Sequence, residues 1–218
     1  MIKLLIYDLD GTLINSRADI AYSVNGMLKQ LGFSELSESV ISDHVGEGVT
    51  HLMKSVLKLS SSQDTEQLIE RAVKLYRGRY AEHLLDETKL YPGVQKVLEH
   101  FKSRKQAVVT NKPEDSSHKI LRGLGIDSYF FRIVGGDQKF AKKPSPDSVF
   151  ELMRFTGAQP KETVFIGDSD IDIQTGKNAG IHTIGITYGF KTREHVENAG
   201  PDFIFDDLNA LLSCPILV

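Results

Sequence analysis

The residues with the clearest chemical potential are acids in two short runs. "DLDGTL" at 8–13 places Asp8 and Asp10 directly after the apolar stretch "LLIY". "GDSDID" at 167–172 supplies Asp168, Asp170 and Asp172. In an extended chain residues i and i+2 share a side, so Asp8 and Asp10 are expected to crowd each other. Like charges resist that unless a cation or a shifted pKa relieves them. Turns also favour Asp and Gly, so the pair alone decides nothing.

Between the two acidic runs lie the polar groups that such acids would need. Thr110, Asn111 and Lys112 follow the apolar run "QAVV", and "KKPSPD" at 142–147 carries Lys142 and Lys143. The alternating acids at 168–172 resemble a calcium loop in outline. That loop needs Gly at its sixth position and Glu at its twelfth, where this chain has Ile173 and Ala179. Carboxylates from separate segments suit Mg²⁺ instead, which takes few protein ligands and completes its octahedron with water and substrate phosphate. A hydroxyl, an amide and a lysine beside that ion would hold phosphate oxygens. No GxxxxGK[ST] motif is present, so a P-loop nucleotide site is excluded.

Something must bring these segments together. Short β-rich runs at 3–7, 106–110, 131–135, 163–167, 182–187 and 203–205 alternate with helical patterns. In 92–104, Val94, Val97, Leu98 and Phe101 recur at helical spacing behind Pro92 and Gly93. In 145–156, Ser145 is expected to cap, with Pro146 at the first helical position. Alternating strands and helices predict an α/β fold, a doubly wound parallel sheet whose ligands sit outside the carboxyl ends of the strands. The polar clusters above end strand runs or, for "KKPSPD", lie in the segment that follows one. Residues 16–83 break the alternation. Ser16 and Asp19 read as a capping box, Ile20, Val24, Leu28 and Leu31 follow at helical spacing, and two further helical patterns lie near 48–58 and 64–83 around the polar "SSSQD". The expected organisation is a core domain of 1–15 and 84–218 with an inserted all-helical cap of 16–83.

The bulk properties narrow the function classes. A net charge of -3 and a pI near 6.2 argue against nucleic-acid or anionic-membrane partners. The apolar run at the start breaks at Asp8, too early for a signal peptide, and no stretch approaches the ~18 apolar residues of a membrane span. The single cysteine, Cys214, cannot form an internal disulfide, which fits a cytoplasmic location. The seven histidines are scattered, without an HExxH pair. Nothing in the sequence distinguishes a monomer from a homodimer.

"DLDGTL" at 8–13, "VVTN" at 108–111, Lys143 in "KPSPD" and "GDSDID" at 167–172 resemble, in order and spacing, the four motifs of the haloacid dehalogenase-like phosphohydrolases. The resemblance implies a Rossmann-like core with an inserted cap and an aspartyl-phosphate intermediate on Asp8. It implies that Asp10 protonates the leaving oxygen and then takes a proton from water. Mg²⁺ would be held by Asp8, the backbone carbonyl of Asp10 and Asp168, with Asp172 orienting water or Lys143. Thr110, Asn111 and Lys143 would bind the phosphoryl group. Lys143 is preferred to Lys142 because the family's lysine directly precedes proline. Dehalogenase and phosphonatase members lack an acid at the position of Asp10, so a phosphate-ester or phosphoryl-transfer member is implied. Asp170 receives no role.

"HVGEG" at 44–48 is similar to the glycine-rich loop of phosphoglycolate phosphatases, and "VGGDQ" at 134–138 is similar to that group as well. Gly46 and Gly48 would then present backbone N–H groups to a small phosphorylated metabolite. The expected reaction is hydrolysis of a small phosphate monoester, 2-phosphoglycolate first. The alternative is another phosphotransfer member: a pyrophosphatase, a nucleotidase or a β-phosphoglucomutase-like mutase.

Overall fold

A computed structural model of the chain describes residues 1–60, 65–137 and 140–218. It divides into two compact units, Met1–Asn15 with Leu90–Val218 and Ser16–Lys89. Most of "SSSQD", and Gln138 of "VGGDQ", lie outside the described residues.

The first unit is built on six parallel strands: β1 (Leu4–Tyr7), β4 (Lys105–Val109), β5 (Arg132–Val134), β6 (Thr163–Gly167), β7 (His182–Ile186) and β8 (Phe203–Phe205). Their order is β5-β4-β1-β6-β7-β8. All six coincide with the runs read from the sequence, because strands buried on both faces show as near-continuous apolar stretches. β1 pairs with β4 on one side and β6 on the other, with Tyr7 opposite Val108 and Ile166. Successive strands therefore run outward in opposite directions from β1. The carboxyl end of β1 is the topological switch point where α/β sheets bind ligands. Two short strands, β2 (Ile14–Asn15) and β3 (Lys89–Leu90), mark where the chain leaves and returns.

Among the described residues this unit has α5 (Val94–His100), α6 (Glu114–Gly123), α7 (Asp147–Thr156), α8 (Asp170–Ala179) and α9 (Arg193–Asn198). Leu4, Ile6, Ala107, Val109 and Phe165 pack with Val149 and Leu152 of α7 and Ala179 of α8 in one apolar cluster. The alternate residues bond differently: the Tyr7 hydroxyl donates to Gln106 Oε1, and Gln106 Nε2 donates to the Leu98 carbonyl of α5. α7 begins at Asp147, one residue later than expected. Pro146 holds the cap position, and the Ser145 hydroxyl accepts from Asp147 N.

The second unit contains α1 (Arg17–Gln30), α2 (Glu38–Asp43), α3 (Val49–Ser60) and α4 (Glu66–Glu82). Two expectations need correction here. Ser16 makes no side-chain capping bond to α1. Asp19 instead accepts from Glu87 N, Thr88 N and Thr88 Oγ1, the last two at 2.8 and 2.6 Å. That same carboxylate moves the boundary. It fastens 87–88 to α1, so the helical unit runs to Lys89 rather than ending at 83. Hydrogen bonding to a buried acid outweighs the local capping geometry that the sequence pattern describes.

Candidate active site

The strand of β1 stops at Tyr7, and Asp8 follows as a buried residue. Residues 9–14 then form a tight turn in which the Leu9 carbonyl accepts from the N–H groups of Thr12, Leu13 and Ile14. Strand alternation no longer applies past Tyr7. Asp168 and Asp172 gather around Asp8, and a ligand atom of each of the three lies within 4.8 Å of the others. Asp10 is held by Lys112, whose Nζ lies 2.9 Å from Oδ1 and 3.1 Å from Oδ2.

Lys143 is the counter-charge of the acid cluster. Its Nζ lies 2.5 Å from Asp8 Oδ1 and 2.6 Å from Asp172 Oδ1, and its side chain is buried. Burial alone would pull this ammonium down, but Asp172 and Asp8 outweigh it and hold its pKa above the ordinary value. Burial holds the Asp8 carboxyl well above the usual carboxylate range. Lys143 opposes that rise, and Asp172 and Asp168 add to it. Burial, reinforced by Asp172, pushes Asp168 up to about 7. Three buried carboxylates sharing one ammonium carry more negative charge than their surroundings balance. A hard cation with oxygen preference fits that donor set and would restore the charged forms.

Residues 5–186 match the family model of the haloacid dehalogenase-like hydrolases. The chain belongs to this family. It is 36% identical over 217 residues to the phosphoglycolate phosphatase of Haemophilus influenzae, covering 97% of each. It is 39% identical over 190 residues to that of Aquifex aeolicus, covering 86% of each. The crystal structure of a predicted phosphoglycolate phosphatase from Haemophilus somnus 129pt matches with a TM-score of 0.92 and 34% identity, over 97% of each chain.

Asp172 is fixed by a near neighbour in sequence and Asp168 by distant groups. Asp172 lies in the first turn of α8 and accepts from Ser169 N and Ser169 Oγ through Oδ2. Its other oxygen is thereby aimed at Lys143. Asp168 accepts from Thr12 Oγ1 at 3.2 Å and from Phe190 N at 2.6 Å. Gly11 and Gly189 allow those approaches: a Cβ on either would lie 2.2 or 2.3 Å from the Asp168 side chain. The Tyr188 hydroxyl donates to the Thr12 carbonyl at 2.7 Å and ties the loop after β7 to the turn after β1. Thr12, Lys112, Ser169 and the 188–190 segment were not singled out for roles from sequence. The serine had a readable signal, the S-x-x-D spacing of a capping box.

The remaining sequence candidates divide. Thr110 and Asn111 are buried, and the Asn111 amide clamps the Lys143 backbone: Nδ2 donates to the Lys143 carbonyl and Oδ1 accepts Lys143 N, at 3.2 and 2.9 Å. Asn111 thus fixes the backbone of Lys143. The Thr110 hydroxyl accepts from Lys112 N. Lys142 is exposed and Lys143 buried. Asp170 pairs with His195 at the surface. Gly46 and Gly48 lie in the helical unit, between α2 and α3, both at positive φ, 132° and 91°.

Proposed function

We propose that this hydrolase is a Mg²⁺-dependent phosphatase of small phosphate monoesters, with 2-phosphoglycolate as its principal substrate. The observation that carries the reading is the buried Asp8–Lys143–Asp172 bridge with Asp168 beside it, at the carboxyl end of β1. The likeness to curated phosphoglycolate phosphatases over nearly the whole chain supports the substrate. In this mechanism an Asp8 oxygen attacks phosphorus while the bond to the leaving oxygen breaks, and Asp10 gives that oxygen a proton. Water then attacks the aspartyl phosphate, Asp10 takes its proton, and phosphate leaves with Asp8 restored. Lys143 and the Thr110 hydroxyl bind phosphoryl oxygens, and Asn111 keeps Lys143 in place. Mg²⁺, held by Asp8, the Asp10 carbonyl and Asp168, would supply positive charge against the developing charge on the phosphoryl group. Asp172 orients Lys143, and the loop of Gly46 and Gly48 offers N–H groups to the rest of the substrate.

No described helix is long and apolar enough to cross a membrane; we propose a cytoplasmic enzyme acting on a free metabolite. The test is phosphate release from a panel of phosphorylated metabolites with Mg²⁺, ranked by kcat/KM. 2-Phosphoglycolate should lead. A leading nucleotide or pyrophosphate, or an isomerised hexose phosphate without free phosphate, would replace this reading with another phosphotransfer activity.

A further inference from the structure

Phosphoryl transfer to Asp8 accounts for Lys143 but not for Lys112. Lys112 Nζ lies within 3.1 Å of both oxygens of Asp10, and the two side chains are only 5% and 11% exposed. Burying an ammonium is costly, and this one is firmly held. Its backbone N–H donates to Thr110 Oγ1 at 3.2 Å, and its carbonyl accepts Gly136 N at 2.9 Å. The two lysines thus divide the site. Lys143 sits on the nucleophile and Lys112 on the acid that faces the leaving group.

We propose that Lys112 reads a negative charge on the leaving group, selecting substrates whose alcohol portion carries a carboxylate. The inference rests on the reading of Asp10 as the proton donor and of a phosphorylated hydroxy acid as substrate. In 2-phosphoglycolate the oxygen that Asp10 protonates is one methylene away from the carboxylate. Bringing that carboxylate up to Asp10 takes an anion out of water beside the proton donor, which is costly unless a counter-charge meets it. The ammonium in contact with both Asp10 oxygens is placed to meet it. Lysine suits such a position, because its three donors and flexible stem let one cation serve two carboxylates. A neutral alcohol leaving group would call for no second buried cation.

The test compares 2-phosphoglycolate with ethyl phosphate, which has a methyl in place of the carboxylate. The readout is the ratio of their kcat/KM values in wild type, Lys112→Met and Lys112→Arg. Lys112→Met should lower the ratio by about 10- to 200-fold, the usual range for losing a specific substrate contact. Lys112→Arg, which keeps the charge, should recover most of it. Circular dichroism and thermal melts establish folding, and Lys112→Gln carries the same test if the Met variant does not fold. A wild-type preference for 2-phosphoglycolate that survives in the Met or Gln variant would overturn the inference while leaving the substrate reading intact; Lys112 would then only hold Asp10. A wild-type ratio near one would sink the substrate reading, and this inference with it.

Discussion

The acid cluster and the helical unit treat buried polar groups in opposite ways. In the cluster, Asp8, Asp168, Asp172 and Lys143 are buried, and each has partners from distant segments. In Ser16–Lys89, the hydroxyls of Ser23 and Ser42 are buried with no hydrogen-bond partner among the described residues. The polar anchors of that unit serve its own loops. Asp19 fastens 87–88, and Asn25 clamps Leu36 through Nδ2 to its carbonyl and Oδ1 from its N–H, at 2.9 and 3.0 Å. One region holds its charged atoms with several converging hydrogen bonds and ion pairs. The other packs apolar faces such as Leu52, Met53, Val56 and Leu57 of α3 and tolerates a stranded hydroxyl. Preorganised electrostatics are needed where charge develops in a reaction, and packing suffices where a shape is presented.

The sharpest break in that comparison is Asp8→Asn. It removes the nucleophile, adds almost no volume and leaves the Lys143–Asp172 contact in place. Turnover should fall below about one-thousandth of wild type, as expected for loss of a covalent nucleophile, with the melting temperature nearly unchanged. Retention of more than a few per cent of activity, once deamidation is excluded by mass spectrometry, would remove Asp8 from its role. An acid-labile phosphoryl adduct trapped on Asp8 in the wild type would sharpen it.

Metal removal comes next. Excess chelator should abolish phosphate release, and Mg²⁺ should restore it and raise the melting temperature by mass action. Ca²⁺ should inhibit. It prefers more oxygens at longer distance and could engage both Asp8 oxygens, including the attacking one. Full activity in chelator would mean that Lys143 alone balances the acids.

The cluster was legible in the sequence to a definite depth. Asp8 and Asp168 could be read because each is an acid at the end of an apolar run, and a parallel sheet gathers such ends on one edge; Lys143 and Asp172, farther from their strands, were read through the resemblance of "KPSPD" and "GDSDID" to the family's motifs. The backbone bond that holds Asp168, and the one that holds Thr12 beside it, were not legible. Phe190 contributes only its backbone N–H and Tyr188 only a hydroxyl 176 residues from its acceptor at Thr12. No side-chain type or spacing signals either bond. The bond of Asp10 to Lys112 was not legible for a related reason: the chain leaves strand alternation after Tyr7 for a turn closed on the Leu9 carbonyl. Asp19 shows the same limit in the helical unit. Its S-x-x-D spacing is real, but a partner 68 residues away takes the carboxylate.

A smaller effect is expected from the glycines between α2 and α3. Both occupy positive φ, so Ala at 46 and 48 adds methyl groups and backbone strain. The double variant Gly46→Ala, Gly48→Ala should lose about 10- to 200-fold in kcat/KM for 2-phosphoglycolate. p-Nitrophenyl phosphate, which depends mainly on the phosphoryl site, should suffer less. Melts check that strain has not unfolded the unit. Equal losses for both substrates, or none for either, would reduce the loop to an ordinary turn.

The smallest catalytic effect should come from the strongest polar anchor of the helical unit. Asp19→Ala strips the acceptor from Glu87 N, Thr88 N and Thr88 Oγ1, in a place where Asp19 is 2% exposed. Buried donors left unsatisfied cost about 1–3 kcal/mol. For a chain of this size that lowers the melting transition by roughly 2–4 °C for each kcal/mol. Chemistry should persist, because none of the groups around Asp8 touches Asp19, and kcat for p-nitrophenyl phosphate below the transition should stay within about threefold of wild type. Limited proteolysis would show where the loss falls: cleavage should begin within 84–89, the segment that the carboxylate holds. A large fall in kcat at unchanged stability would erase the division between the two regions, since it would make a residue of the packing unit part of the chemistry.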